Sequence, residues 1–377
     1  MKKFLIVLYS IFLSLFSIFS YSFVDPNLLY LKDIYSGFAF SNRFLTTIFY
    51  ILFIFIFFIF YGIFVWLAVK KKLKFKDMLI LLGVTIGILF FSYPAMLSYD
   101  IFNYIVTSKV LFFYSENPYV IMPIEFTGDP LLFFTHGANK IALYAPLWIF
   151  LTGASYVLGF GSFIITLLNF KLLISAFYLA TVFLIWKISK NIVSVFLFSF
   201  NPLIIIETLI SGHNDIVMVF LALFSFFLLI KKKIFFAVLL FILSILIKYS
   251  TILLIPVFLY ILWKIIKKKD INWKSIFYFS SLLMYVGFFL SPIREEIYPW
   301  YALWFLSFAF LVADKKLLLY TSLAFSFGLL FRYVPFMLFG THAGLTPIIK
   351  SSVTFIPVLL VLFYFIVKKL WERISSR

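Results

Sequence analysis

AMLSYDIFNYIVTSK, residues 95–109, closes a long apolar run with a carboxylate, Asp100, and continues into tyrosines and an asparagine. The chain around it has 377 residues, 65% hydrophobic and 12% charged, with mean hydropathy +1.14. A soluble core has no use for so much apolar surface, so the composition predicts an all-α polytopic membrane protein. The runs are long and unbroken, unlike the short alternating segments of a β-barrel. There is no cysteine, which excludes disulfides, thiolate metal sites and a cysteine nucleophile. The phosphate loop of nucleotide-driven pumps and the H-E-x-x-H of zincins are also missing.

Outward from Asp100, charge-bounded apolar runs fall at 4–23, 44–69, 78–98, 162–186, 191–210, 215–230, 234–248, 249–263, 273–291, 300–313, 317–338 and 350–367. They predict about twelve transmembrane helices. The piece at 145–158 is too short to cross and reads as a re-entrant or interface helix ending a long loop, 99–161. Basic clusters stand at KKKLKFK (70–76), Lys187 and Lys190, KKK (231–233), KIIKKK (264–269), DKK (314–316) and KKLWER (368–373). Placing all of them in the cytoplasm gives a consistent alternation, with the chain turning back near Lys248. This asymmetry accounts for the net charge of +18 without nucleic acid; membrane lipids are the expected partners of the basic rim. The N-terminal run resembles a secretory signal, but its length and the lack of a small-residue cleavage site favour an uncleaved span. The chain divides into two N-terminal helices (1–77), a central module (78–270) and C-terminal helices (271–377).

On this topology the chemistry-capable side chains gather on the outer face of the plasma membrane. Asp100, at a helix end, could act as a general base or could merely mark the membrane boundary. Lys248, Arg294 and Arg332 suit a phosphate, or equally the neutralisation of nearby acids. Glu207, His213 and Asp215 form a second acidic group that could bind an acceptor or a divalent ion such as magnesium or manganese. Asn214, just before an apolar run, reads as an ordinary helix cap. Asn103, Tyr104, Asn117, Tyr119, Tyr144, Trp148 and Trp300 could line a sugar site, although an interfacial aromatic belt would also explain the rings. A transporter or flippase of lipid-linked saccharides fits the span count too, but no paired repeats are visible.

Several elements occur in a distinctive order. SYDIFNYIV leads to a loop with ENPY, then YAPLW, then NPLIIIETLISGHNDIVMVFLALFSFFLL, KKK and ILSILIKYSTILLIPV. Over residues 78–265 this resembles the GT-C membrane glycosyltransferases, in particular the polyprenyl-phosphate-mannose-dependent mannosyltransferases. The first two spans look like an addition to the pattern. The resemblance implies that a hexose, mannose above all, passes from a polyprenyl-phosphate donor to a lipid or glycan acceptor with inversion. It implies Asp100 as the base, Asp215 as the second acid and Lys248 at the donor phosphate. Tyr144 and Pro146 of YAPLW stand where relatives carry a similar Tyr-Pro element. Some relatives have two adjacent acids at the first position; here Tyr99 and Ile101 flank Asp100, which speaks against a two-carboxylate metal site there.

Overall fold

A computed structural model describes residues 2–28, 30–31, 37–293 and 296–375, and all regular structure among them is helical. The longer helices are α1 (Lys2–Ser20), α2 (Arg43–Val69), α3 (Phe75–Leu89), α4 (Asp100–Phe112), α5 (Pro146–Val157), α6 (Phe163–Ser189) and α7 (Ile192–Ser199). They continue as α8 (Asp215–Ile230), α9 (Ile234–Ile245), α10 (Ile255–Ile266), α11 (Trp273–Leu290), α12 (Ala302–Ala309), α13 (Lys316–Phe331) and α14 (Thr346–Ser375). Seven helices among the described residues are long and apolar enough to cross a membrane. There are eight if Ile192–Ser199 and Pro202–Ile210, bent by 55°, form one broken span. The protein is a multi-pass membrane protein.

Several of the expected crossings are shorter than their apolar runs. The helix in the 78–98 run has 15 residues and ends at Leu89. Pro94 disfavours helical geometry in Tyr93, whose ψ is 123°, and a single 3-10 turn follows at Pro94–Met96. Asp100 therefore does not close a span; it is the first residue of α4. Helix α8 has 16 residues and α9 has 12, about 24 and 18 Å at 1.5 Å per residue, against a bilayer core of about 30 Å. They pack as a hairpin, with Ser225 Oγ donating to the Ala237 carbonyl at 2.7 Å and Ser244 Oγ to that of Met218 at 2.8 Å. The 300–313 run likewise forms a short apolar helical segment, Pro299–Val312. Helix α5 is short as expected; Pro146 opens it, and the Leu147 amide donates to the Leu246 carbonyl at 3.0 Å. The turn at Lys248 is also present: its backbone is extended between α9 and the 3-10 turn Tyr249–Leu254.

Lys171, alone among lysines in lying mid-run, is buried in α6. Its ammonium donates to the carbonyls of Leu89 (3.0 Å) and Ser92 (2.6 Å) and to Ser92 Oγ (3.0 Å). It thus satisfies the C-terminal end of α3, where backbone carbonyls lack helical partners and carry partial negative charge. Lys171→Met removes all three bonds and takes this donor from the Ser92 carbonyl, while Leu89 keeps the Ser92 N–H and hydroxyl; the cost is about 2 kcal/mol. The expected result is a lower thermal unfolding midpoint in detergent, with substrate KM values retained.

The helices share one polarity. Arg43 opens α2 and the 70–76 cluster closes it; Asp215 opens α8 and Lys231–Lys233 follow it; Arg332 follows α13 and Lys316 opens it. Lys350 lies near the start of α14, and Lys368 and Lys369 lie near its far end. The basic clusters thus stand at the helix ends opposite Arg43, Asp215, Arg332 and Lys350.

Candidate active site

Asp100 leaves the short Pro94 turn at the start of α4, with its backbone N–H donating to Ser98 Oγ at 3.3 Å. Behind it lies the SGHND turn. Gly212 there has φ +72°, and a side chain would also press on Ile101, so the tight turn is set by glycine. The turn follows a π-helical widening at Ile206–Ile210 that carries Glu207 inward. His213 is consequently fully buried between two acids: Nδ1 lies 3.4 Å from Asp100 Oδ2 and Nε2 lies 3.2 Å from Glu207 Oε2. These are ion-pair distances, although the angles fall short of good hydrogen bonds. The imidazole stacks on Trp300 with centroids 3.9 Å apart, and Tyr333 donates its hydroxyl to Glu207 Oε1 at 2.9 Å. Burial disfavours the imidazolium, but the flanking Asp100 and Glu207 outweigh it and raise His213 to about 9.

Asp215, the first residue of α8, is also buried. Lys248 Nζ donates to both its oxygens, at 2.8 and 3.0 Å, and Trp304 Nε1 donates to Oδ1. The ammonium lies 4.5 Å from the Tyr301 ring centroid and 5.5 Å from that of Trp304. An ammonium has three donors, so one remains directed to other partners.

Asp100, Asn103, Tyr144, Lys248 and Trp300 line one cavity of about 440 Å³, together with Asn214, Tyr298 and Trp304. Base candidate and cation candidate thus share one space, and each has its own buried counter-ion behind it. Asn214 corrects the expectation of a helix cap: its side chain makes no capping bond, is 1% exposed, and both its polar atoms lack a partner. An unpaired buried amide at a cavity wall is poised for a ligand's hydroxyl groups. Nothing in the sequence separated it from a cap.

Other expected lining residues stand elsewhere. Tyr104 and Trp148 are buried core; their rings meet at 5.0 Å, and Tyr104 accepts the Asn214 backbone N–H at 3.4 Å. Tyr119 and Asn117 are exposed and outside the cavity. Tyr119 donates to the Tyr144 carbonyl at 2.7 Å and Asn117 accepts the Tyr119 N–H at 3.0 Å, so both brace the loop. Glu207 and Asp215 act from behind the wall. Arg294 lies outside the described residues. Among the described residues, no three His, Cys, Asp or Glu side chains converge in a way that would hold a metal ion.

Arg332 is not in the Lys248 cavity. It lines a second one, of about 510 Å³, that also includes Asp100, Asn103, His136, Tyr298 and Trp300. There its Nη2 lies 2.7 Å from Glu296 Oε1, and Lys350 Nζ lies 3.0 Å from the same oxygen. Burial opposes ionisation of Glu296, but Lys350 and Arg332 outweigh it and hold the carboxyl below its ordinary range. Lys350 was visible in sequence only as a lone cation opening the last apolar run.

A family model, alpha-(1->6)-mannopyranosyltransferase, N-terminal domain, of the MptA_B family, matches residues 28–264. The match contains Asp100, Glu207, His213, Asp215 and Lys248, and it runs from before α2 into α10. No curated protein and no solved structure matches the chain. The matched family consists of transferases, which answers the choice between enzyme and transporter. With well over half its length in the match, the chain belongs to the alpha-(1->6)-mannopyranosyltransferase family and is a GT-C membrane mannosyltransferase.

Proposed function

We propose that the protein transfers mannose from a polyprenyl-phosphate donor to an acceptor hydroxyl at the outer face of the plasma membrane, with inversion and with Asp100 as general base. The observation that carries this is the shared cavity: Asp100 and Lys248 line it together, while each pairs with a different buried residue, His213 and Asp215. A base and a cation that paired with each other would be of little use to a substrate. Held apart, they can serve the two ends of one displacement.

In that displacement the acceptor oxygen attacks the anomeric carbon as its proton passes to Asp100. The bond from that carbon to the phosphate oxygen breaks, and the phosphate leaves with the electron pair. Lys248 faces the charge that grows on the leaving oxygen. The rings of Tyr144, Trp300, Tyr301 and Trp304 offer sugar-stacking faces, and the Asn214 amide a partner for sugar hydroxyls. The bundle's polarity supports the outer face, since basic helix ends favour the cytoplasm and the cavities lie at the other end.

The family forms alpha-(1->6) bonds, so inversion requires a β-linked donor. Purified protein in liposomes is expected to use polyprenyl β-mannosyl phosphate and to leave the α-anomer untouched, as read by mass spectrometry of labelled products. Equal use of both anomers, or none of either, would remove the inverting lipid-donor reading.

A further inference from the structure

Asp100, Asn103, His136, Tyr298 and Trp300 line both cavities and so mark where the two meet. Among them, His136 is held from two sides. Its ring stacks on that of Tyr99, with centroids 3.7 Å apart, and its Nε2 lies 3.8 Å from Asp25 Oδ2, within ion-pair reach. Asp25 stands in the segment after α1 and is buried. It is itself fixed, since the Asn27 N–H donates to Oδ1 at 2.8 Å and the Tyr99 hydroxyl to Oδ2 at 3.0 Å. Burial opposes its ionisation, but His136, the Asn27 N–H and the Tyr99 hydroxyl outweigh it and hold the carboxyl below its ordinary range. The loop that carries His136 is anchored too. The Gly137 N–H donates to Asn103 Oδ1 at 3.0 Å, and a β-carbon at Gly137 would lie 2.8 Å from that oxygen. Tyr99 and Asn103 flank Asp100 at the start of α4, so the base candidate and the imidazole are held by one frame. Asp25 precedes residue 28, where the family match begins, so this part of the frame comes from outside the match.

Nε2 faces Asp25, which leaves Nδ1 as the ring nitrogen for a ligand. A carboxylate beside one nitrogen keeps the proton there and makes the other an acceptor. Tyr99 fixes the plane of the ring, and the side chain is 62% exposed, so the ring is open to the cavities. We propose that His136 is a substrate-contacting residue oriented by Asp25. Its Nδ1 accepts a hydrogen bond from a non-reacting hydroxyl of the mannose in transfer and sets the sugar's rotation, so that the anomeric carbon faces the attacking oxygen beside Asp100. Positioning of this kind raises the rate without His136 exchanging a proton. The proposal rests on Asp100 and the first cavity as the site of transfer, and it gives the segment after α1 a role in the reaction.

The test measures transfer by the full chain in liposomes from polyprenyl β-mannosyl phosphate and from its 2-, 3-, 4- and 6-deoxy analogues. Wild type, His136→Ala, Asp25→Asn and the double variant are compared, with matched thermal unfolding curves. Comparing each parent-to-deoxy ratio of kcat/KM between proteins cancels the intrinsic reactivity of the donors. One ratio is expected to be about tenfold larger in wild type than in His136→Ala, the size of one hydrogen bond, and the others to be equal. Asp25→Asn should lower that ratio about threefold while His136 is present and change nothing in His136→Ala. The contact is overturned if every ratio is the same in wild type and His136→Ala, whatever the overall rate, because a structural role moves all donors together. An Asp25→Asn effect that persists in His136→Ala overturns the orienting role. Should wild type transfer from none of the donors, the transfer reading fails separately. Thermal shifts with octyl β-mannosyl phosphate and its deoxy analogues then decide the contact: stabilisation of wild type by the parent over one analogue, lost in His136→Ala, supports it, and equal shifts refute it.

Discussion

Asp100→Asn lowers kcat for mannosyl transfer by about 10³-fold, within the range that general-base removal spans, while the donor KM moves little. Asparagine has the shape of aspartate and keeps one oxygen toward His213 Nδ1, so the turn behind the site and the start of α4 should survive. What it lacks is a carboxylate able to take the acceptor's proton as the new bond forms. Asp100 is about a quarter exposed, in contrast to the fully buried Glu207 and His213, and it alone of the three lines both cavities. A base must touch the acceptor, and this is the carboxylate that can. The measurement is a transfer assay on wild type and variant with matched thermal unfolding curves. Full activity in a folded variant would take the base assignment away from Asp100, and an equal rise in donor KM would make it a binding residue instead.

The sequence made the bundle's polarity readable because charge and hydropathy act locally: basic clusters bounding apolar runs mark helix ends whatever those helices pack against. The turn at Lys248 was readable for the same reason, since basic residues flank the 234–263 run on both sides. The helix break before Asp100 was missed because hydropathy is blind to backbone geometry; Pro94, inside the expected 78–98 span, was the signal. Core and lining could not be separated for aromatics. Tyr104 and Trp148 look no different in sequence from Tyr144 and Trp300, and only packing turns the first two inward. The acid–histidine–acid contact depends on a π-helical turn and on a loop more than a hundred residues away, and no local pattern encodes either. The division of Lys248 from Arg332 was hidden likewise, because which cations share a cavity is decided by the packing of α13 and α14 against the remaining helices.

His213→Gln is expected to lower kcat by about 100-fold and to remove a pH step that wild type shows. His213 lies between Asp100 and Glu207, and Tyr333 holds the other oxygen of Glu207. Burial opposes its charge, yet the two carboxylates hold it protonated up to about 9. At neutral pH the imidazole between them is therefore cationic. The imidazolium offsets the buried charge of Glu207 and fixes the direction of the Asp100 carboxylate. A neutral glutamine preserves volume and hydrogen-bonding capacity but leaves both acids without a cation, so the base loses its orientation and Glu207 its partner. The sign follows from the raised value. The histidine's contribution to stability is complete below its ordinary value near 6.5 and disappears as pH rises through about 9. Wild-type unfolding midpoints and kcat should therefore fall between pH 8 and about 10, while the variant, already lower at pH 7, should lack that step. Subtracting the two profiles removes every titration that the two proteins share. A variant with the wild-type alkaline step would show that His213 is neutral in the folded protein, and the role of the SGHND turn would shrink to packing against Trp300.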